Sequence, residues 1–199
     1  MHQLKIKRFL AHFVLDHIFI EYLKYSHHLT IEQVKLLEFI LQFTEEYYKE
    51  NLSLNIIIFY KDYQKNELLK LITHLYDYNW ISKKRDPHDQ RRLIITLTQA
   101  QRKKINQLFE DFNVFLEVKS KSITNHTHLT LLSYYFKCHA QFKVIEQSHI
   151  YSRLSLEELY ILGLLLINNN ETSFKSIKLH SLRGLVTLRP IIKKLQTKG

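Results

Sequence analysis

The chain has 199 residues, 45% of them hydrophobic, enough for a genuine core in one large or two small domains. Only three Gly and two Pro are present, which argues against an all-β fold with its many tight turns and favours long helices. The formal charge of +10, from 29 Lys and Arg against 19 Asp and Glu, points to a polyanionic partner, nucleic acid ahead of an anionic membrane surface.

The lone cysteine, Cys138, rules out an internal disulfide framework and suits a reducing cytoplasm. Near the start, His12, Asp16 and His17 interrupt the apolar run from Phe9 to Ile20, so neither a signal peptide nor a membrane span is expected.

From Leu4 to Tyr25, apolar residues recur at helical spacing: Ile6, Phe9, Leu10, Phe13, Val14, Ile18, Tyr22 and Tyr25. Leu15, Phe19, Ile20 and Leu23 widen this stripe, marking either a dimer or inter-domain surface or a deeply buried helix. Thr30 opens a second helix, with Gln33 placed to complete a capping box and Val34, Leu37, Ile40 and Leu41 facing inward. This helix is expected to end near Thr44, and the polar stretch Glu45 to Asn51 reads as a loop. A short strand at Leu52 to Leu54 and a short helix at Asn55 to Tyr60 follow.

Tyr63 to Tyr78 is predicted as a fourth helix that buries Leu68, Leu71, Ile72 and Leu75 and offers Gln64, Lys65, Asn66, Lys70 and His74 on another face. Next comes a basic hairpin. Asn79 to Ser82 is its first run, anchored by Trp80 and Ile81, and Leu93 to Leu97 is its second. Between them Asp86-Pro87 initiates a turn, because Pro presets φ and Asp can bond the backbone two residues on. Lys83, Lys84, Arg85, Arg91 and Arg92 crowd this turn, a repulsive arrangement unless phosphates lie beside it. Helix, short turn, helix and basic hairpin is the order of a winged helix-turn-helix.

Thr98 with Gln101 is a second capping box, opening a long helix striped by Ile105, Leu108, Phe109, Phe112, Phe115 and Leu116. Arg102, Lys103 and Lys104 ride its first turns, where cations oppose the helix dipole unless an anion is near. From Lys83 to Lys104, eight basic residues face only Asp86 and Asp89, a local charge of +6.

Lys119 to Thr130 drops in hydrophobicity and reads as a linker or helix break, after which the chain repeats itself. Leu131 to Tyr151 has the character of the first helix. Leu154-Ser155-Leu156-Glu157-Glu158-Leu159 echoes Leu29-Thr30-Ile31-Glu32-Gln33-Val34, and Ile191-Ile192-Lys193-Lys194-Leu195 echoes Leu71-Ile72-Thr73-His74-Leu75. The offset falls from 125 to 120 residues, implying five extra residues in the first copy, placed in its Glu45 to Asn51 loop. The expected organisation is a complete winged-helix domain over 1–122, a linker over 123–130, and a partial second repeat over 131–199. That repeat stops at Gly199 without a wing, and Pro190 suggests a short helix starting near Arg189.

No Gly-rich phosphate loop, HExxH, zinc-spaced Cys pair or nucleophile elbow occurs, so enzyme activity is not expected. His126-Thr127-His128 lacks a spaced third ligand, and neither a metal nor a cofactor is expected.

Lys83-Lys84-Arg85-x-x-His88-Asp89-x-Arg91, then the Ile and Leu strand and Ala100-Gln101-Arg102-Lys103-Lys104-Ile105, resembles the staphylococcal accessory regulator (SarA-like) branch of the MarR winged-helix transcription factors. The likeness covers most of the chain, and the two copies look like the two-domain members of that branch. It implies a mainly α fold with a small β-hairpin wing, a recognition helix in the major groove and dimerisation through terminal helices. By motif match, the arginines entering the minor groove are Arg85 and Arg91, and the acidic wing position is Asp89. The usual Asp-Glu-Arg tip reads Asp89-Gln90-Arg91, one carboxylate fewer. Cys138 is not mapped onto the thiol by which some members sense oxidation, and reads as a buried inert residue.

The resulting expectation is a DNA-binding transcription regulator of accessory or virulence-type genes. Lys83, Lys84, Arg92, Arg102, Lys103 and Lys104 would meet phosphates, Arg85 and Arg91 an A·T-rich minor groove, and Gln64, Lys65, Asn66 and Lys70 the major groove. Its partners would be double-stranded promoter DNA and a second copy, or an intramolecular pseudo-dimer, or a related regulator. The alternative is an interaction protein that pairs with such a regulator and no longer binds DNA.

Overall fold

The structure, a computed structural model, describes residues 2–47, 52–61, 63–120, 131–147, 154–167 and 185–198. The chain divides into two compact units, Leu23–Phe112 and the combination of Met1–Tyr22 with Asn113–Gly199. The segment 121–130, with His126 and His128, lies outside the described residues, as do 48–51.

The unit Leu23–Phe112 contains helices α2 (Ile31–Glu46), α3 (Leu54–Lys61) and α4 (Lys65–Asp77), the start of α5 (Gln99–Ser120), and strands β1 (Leu52–Ser53), β2 (Ser82–Arg85) and β3 (Leu93–Thr96). It opens with a π-helical turn at Leu23–His27, where the expected continuation of the first helix to Tyr25 leaves α geometry. The Thr30 capping box is complete: Gln33 N–H donates to Thr30 Oγ1 at 3.3 Å and Thr30 N–H to Gln33 Oε1 at 2.7 Å. Helix α2 runs beyond Thr44 to Glu46, so the expected loop starts later. Thr44 is buried with its hydroxyl bonded to the Ile40 carbonyl at 2.7 Å, and Tyr47 N–H closes the final turn on the Phe43 carbonyl.

Helix α4 buries Leu68, Ile72 and Leu75, the one-face spacing of an amphipathic helix. Each such side chain contributes roughly 1.5–3 kcal/mol when fully buried. The helix begins at Lys65 rather than Tyr63, because Gln64 is an extended N-cap residue (φ −68°, ψ 136°).

The three strands form one antiparallel sheet in the order β1-β3-β2, with Leu52 opposite Ile95 and Lys83 opposite Ile95 on the other side. The first hairpin strand is therefore Ser82–Arg85, not Asn79 to Ser82. Asn79 adopts a φ of 54°, and Trp80 N–H reaches back to the Leu75 carbonyl at 2.8 Å. Trp80 and Ile81 are buried where α4 ends, and pairing falls on the lysines that follow. The succession α2-β1-α3-α4-β2-β3, with β1 completing the hairpin sheet, is a winged helix-turn-helix.

In the other unit, α1 (His2–Tyr22), the end of α5, α6 (Leu131–Gln147), α7 (Leu156–Ile167) and α8 (Leu185–Lys198) are described. Leu10, Tyr160, Ile161, Leu164 and Leu188 form a core joined by Ile6, Phe9, Phe13 and Val14. The Ile6, Phe9, Leu10, Phe13 and Val14 part of the α1 stripe is thus covered within its own unit, while Ile20 is 38% exposed. Phe13 stacks on Tyr160 at 4.9 Å, and Phe19 meets Tyr135 edge-on at 4.5 Å. Asp16 accepts from the Tyr135 hydroxyl at 2.7 Å and lies 2.7 Å from His139 Nδ1, tying α1 to α6. Burial, reinforced by the Asp16 carboxylate, holds the Tyr135 hydroxyl far above its ordinary ionisation range.

Two expectations differ here. Lys119 is still helical, and α8 starts at Leu185 with Pro190 inside it rather than near Arg189. Pro190 is exposed, so its missing backbone donor costs least, while the buried Leu188 and half-buried Ile191, Ile192 and Leu195 hold the helix. Helix α7 begins with another reciprocal cap, Glu158 N–H to Ser155 Oγ at 3.2 Å and Ser155 N–H to Glu158 Oε2 at 2.7 Å. This is the same device as at Thr30 and Gln33, at the positions that echo each other in sequence.

Candidate nucleic-acid interface

The unit Leu23–Phe112 presents two basic or polar elements that belong to one folded body. The first is the N-terminal half of α4. With Leu68, Ile72 and Leu75 turned into the core, Lys65, Asn66 and Lys70 are exposed, and Gln64 is exposed at the cap. All four predicted recognition residues therefore face outward, joined by the acidic Glu67. At 13 residues α4 is about 20 Å long, a size that a major groove about 12 Å wide accepts. His74 is not part of that face. Its ring stacks on Tyr78 at 4.5 Å, and its Nδ1 is buried without a hydrogen-bond partner.

The second element is the β2–β3 hairpin. Its tip is shaped by two aspartates acting locally. Asp86 is buried at 8% exposure, and its Oδ1 accepts from His88 N–H at 2.9 Å, the two-residue bond expected of an Asp-Pro turn. The Asp86 N–H then donates to the Arg92 carbonyl at 3.0 Å, closing the loop. The Asp89 carboxylate accepts from Arg91 N–H at 3.0 Å, and its carbonyl from Arg92 N–H at 2.9 Å. Asp89 thus lends its acid to the wing backbone.

The cations divide by what they touch. Lys84 and Arg91 are exposed. Arg85 is exposed and lies with Nη1 3.5 Å from the Arg91 carbonyl, so the paired arginines share one loop. Arg92 is 4.0 Å from Asp86, and Lys83 places Nζ 4.1 Å over the Tyr76 ring. Of the three predicted phosphate residues on α5, Lys103 and Lys104 are exposed, and Lys103 alone meets no partner among the described residues. Arg102 donates to the Thr44 carbonyl at 3.4 Å. Lys104 donates to the Tyr78 carbonyl at 3.1 Å and lies 3.8 Å over the Trp80 ring. Partial burial pushes the Lys104 ammonium below its ordinary value.

Two features escape a reading of charge and spacing. Asp86 is the inner support of the wing, although its Asp-Pro context signalled only a turn. Gln101 was legible as a cap of α5, yet its amide also meets Ser82 and Asn79.

Residues 18–108 match the family model "Transcriptional regulator SarA/Rot". No curated protein matches the chain at comparable stringency. Among solved structures, AbfR of Staphylococcus epidermidis is similar at 22% identity, covering 68% of this chain and 85% of that one with a TM-score of 0.42. A MarR protein from Peptoclostridium difficile shares 19% identity over 67% and 81% at a TM-score of 0.43. The MepR–DNA complex of S. aureus shares 15% over 68% and 94% at 0.45. The matched residues 18–108 span the whole winged helix-turn-helix and its basic hairpin, so this unit of the chain is similar to the SarA/Rot transcriptional regulators.

Proposed function

We propose that the protein regulates transcription by binding duplex DNA, with α4 in the major groove and the β2–β3 hairpin in the adjoining minor groove. The observation that carries this reading is the pairing, in one winged unit, of an exposed polar face on α4 with a hairpin that displays Lys84, Arg85, Arg91 and Arg92. Gln64, Lys65, Asn66 and Lys70 read base edges or adjacent phosphates. Arg85 and Arg91 enter an A·T-rich minor groove, where the narrowed walls deepen the negative potential. Lys84, Arg92 and Lys103 contact phosphates and fix register. Lys83, Arg102 and Lys104, already engaged with Tyr76, Thr44, Tyr78 and Trp80, support the frame first and add to the field second. Residues 131–199 act as a partial second repeat that packs rather than reads, a view favoured by the matched caps at Thr30 and Ser155.

A mobility-shift titration on A·T-rich duplex at several salt concentrations tests this. Each phosphate neutralised contributes about 0.9 to the slope of log affinity against log salt, so Lys84, Arg92 and Lys103, with Lys65 and Lys70 on adjacent phosphates, predict a slope near −4 to −5 per winged unit. Sedimentation of the complex gives the number of chains per duplex. Absence of retention at low salt overturns the proposal and leaves pairing with a related regulator as the role to pursue.

A further inference from the structure

The first turn of α5 holds a polar cluster that duplex contact leaves unused. Gln101 is only 4% exposed, yet its side-chain amide joins three segments. Its Oε1 accepts from Thr98 N–H at 2.9 Å and from the Ser82 hydroxyl at 3.2 Å, while its Nε2 donates to Asn79 Oδ1 at 3.1 Å. Thr98 N–H can be met only by an oxygen, which fixes the orientation of the amide. A capping box requires the two bonds with Thr98 and nothing more. The other two reach back 19 and 22 residues, to the first residue of the wing strand and to the turn that ends α4.

Asn79 has a φ of 54°, a left-handed conformation that Asn tolerates better than most residues, so the bond anchors the point where α4 stops. Lys104, three residues along α5, adds a second tie to the Tyr78 carbonyl. One buried amide therefore connects the end of the reading helix, the root of the wing and the start of α5.

We infer that Gln101 is a positioning residue for sequence discrimination: without touching DNA, it sets the angle between α4 and the β2–β3 hairpin. The inference rests on the duplex-binding function proposed above. Base-edge hydrogen bonds fail with small displacements, whereas long Lys and Arg side chains follow a phosphate through them. A change in that angle thus removes discrimination and spares non-specific binding and its salt slope.

A double-mutant cycle tests it on the full chain, probed with a duplex that the wild type enriches from a randomised pool and a scrambled duplex of equal length and composition. Gln101→Glu keeps both acceptor bonds and the cap, and Asn79 can turn its amide to donate. Asn79→Asp keeps an acceptor for Gln101 Nε2. Only the double variant sets two carboxylates against each other and, in a mildly alkaline binding buffer where they no longer share a proton, breaks this one link. Each single variant retains the selected-to-scrambled affinity ratio, whereas the double variant loses about tenfold of it beyond the sum of the singles. Ser82→Ala, which removes the wing-side bond alone, loses about threefold and serves in its place should the double variant unfold. An unchanged ratio in a folded double variant, or in Ser82→Ala should the double variant unfold, overturns the inference, as does equal weakening on both duplexes, which marks a purely structural role. A wild type that binds neither duplex overturns the duplex-binding function and this inference together; wild-type discrimination with indifferent variants overturns the inference alone.

Discussion

Asp86→Ala should open the wing without unfolding the domain. In the native loop the Asp86 carboxylate accepts from His88 N–H at 2.9 Å and faces Arg92 at 4.0 Å, with the Asp86 side chain 11% and the Arg92 side chain 44% exposed. A hydrogen bond to a charged, largely buried acceptor contributes about 1.5–3 kcal/mol, and a long ion pair to an exposed guanidinium at most about 1 kcal/mol. Their loss disfavours the closed loop by about 2 kcal/mol. If binding requires that loop, affinity falls with the fraction left closed, by at most about thirtyfold for 2 kcal/mol. Asp86→Asn retains an oxygen for His88 N–H and loses only the ion pair, so its loss is about two- to fivefold. Fluorescence-anisotropy titration of an A·T-rich duplex, beside thermal unfolding of each variant, separates the two. An Asp86→Ala protein that binds within twofold of wild type would refute the idea that this carboxylate shapes the binding loop.

Arg91→Ala removes an exposed side chain, so duplex affinity should fall about tenfold or more with the melting temperature unchanged; unchanged affinity would sink its assignment to the groove. Lys103→Ala should reduce the magnitude of the salt slope by about 1. Lys104→Ala should instead cost about 1 kcal/mol of stability, since its ammonium is held by the Tyr78 carbonyl and the Trp80 ring, and a variant that melts like wild type would contradict this. Gly163→Ala places a Cβ 2.9 Å from Leu10 Cδ2, and overpacking of about 1–3 kcal/mol outweighs a helix-propensity gain of about 1 kcal/mol. A lower melting temperature by calorimetry is the expected result. Burial lowers the His27 value from 6.5, against a smaller opposing effect of Asp111. The unfolded chain therefore takes up a proton first as pH falls, and stability present above about 6.5 is lost below it. His27→Phe should flatten that part of a melting-temperature profile, and an unchanged slope would count against it.

Most of the winged scaffold was legible in the chain because its signals are local. Thr30 with Gln33 and Thr98 with Gln101 mark helix starts within four residues, and Leu68, Ile72 and Leu75 show the core face of α4 by spacing alone. The Asp86 turn bond likewise follows from an aspartate before a proline. Boundaries were harder. Trp80 and Ile81 look like strand residues, but one left-handed residue at Asn79 and a bond back to Leu75 commit them to closing a helix. Pro190 reads as a helix start, yet burial of its neighbours outweighs its missing donor.

Charge shows the contrast most clearly. The sequence by itself determined that a cluster of +6 lies between Lys83 and Lys104, which points to an anionic partner. Only the tertiary structure decided which cations remain available to it. Arg102 reaches a carbonyl 58 residues away and Lys104 one 26 residues away, contacts that no periodicity encodes because packing creates them. The same holds for Gln101, whose local spacing announces a helix cap while its burial against Ser82 and Asn79 joins the end of α4 to the β2–β3 hairpin.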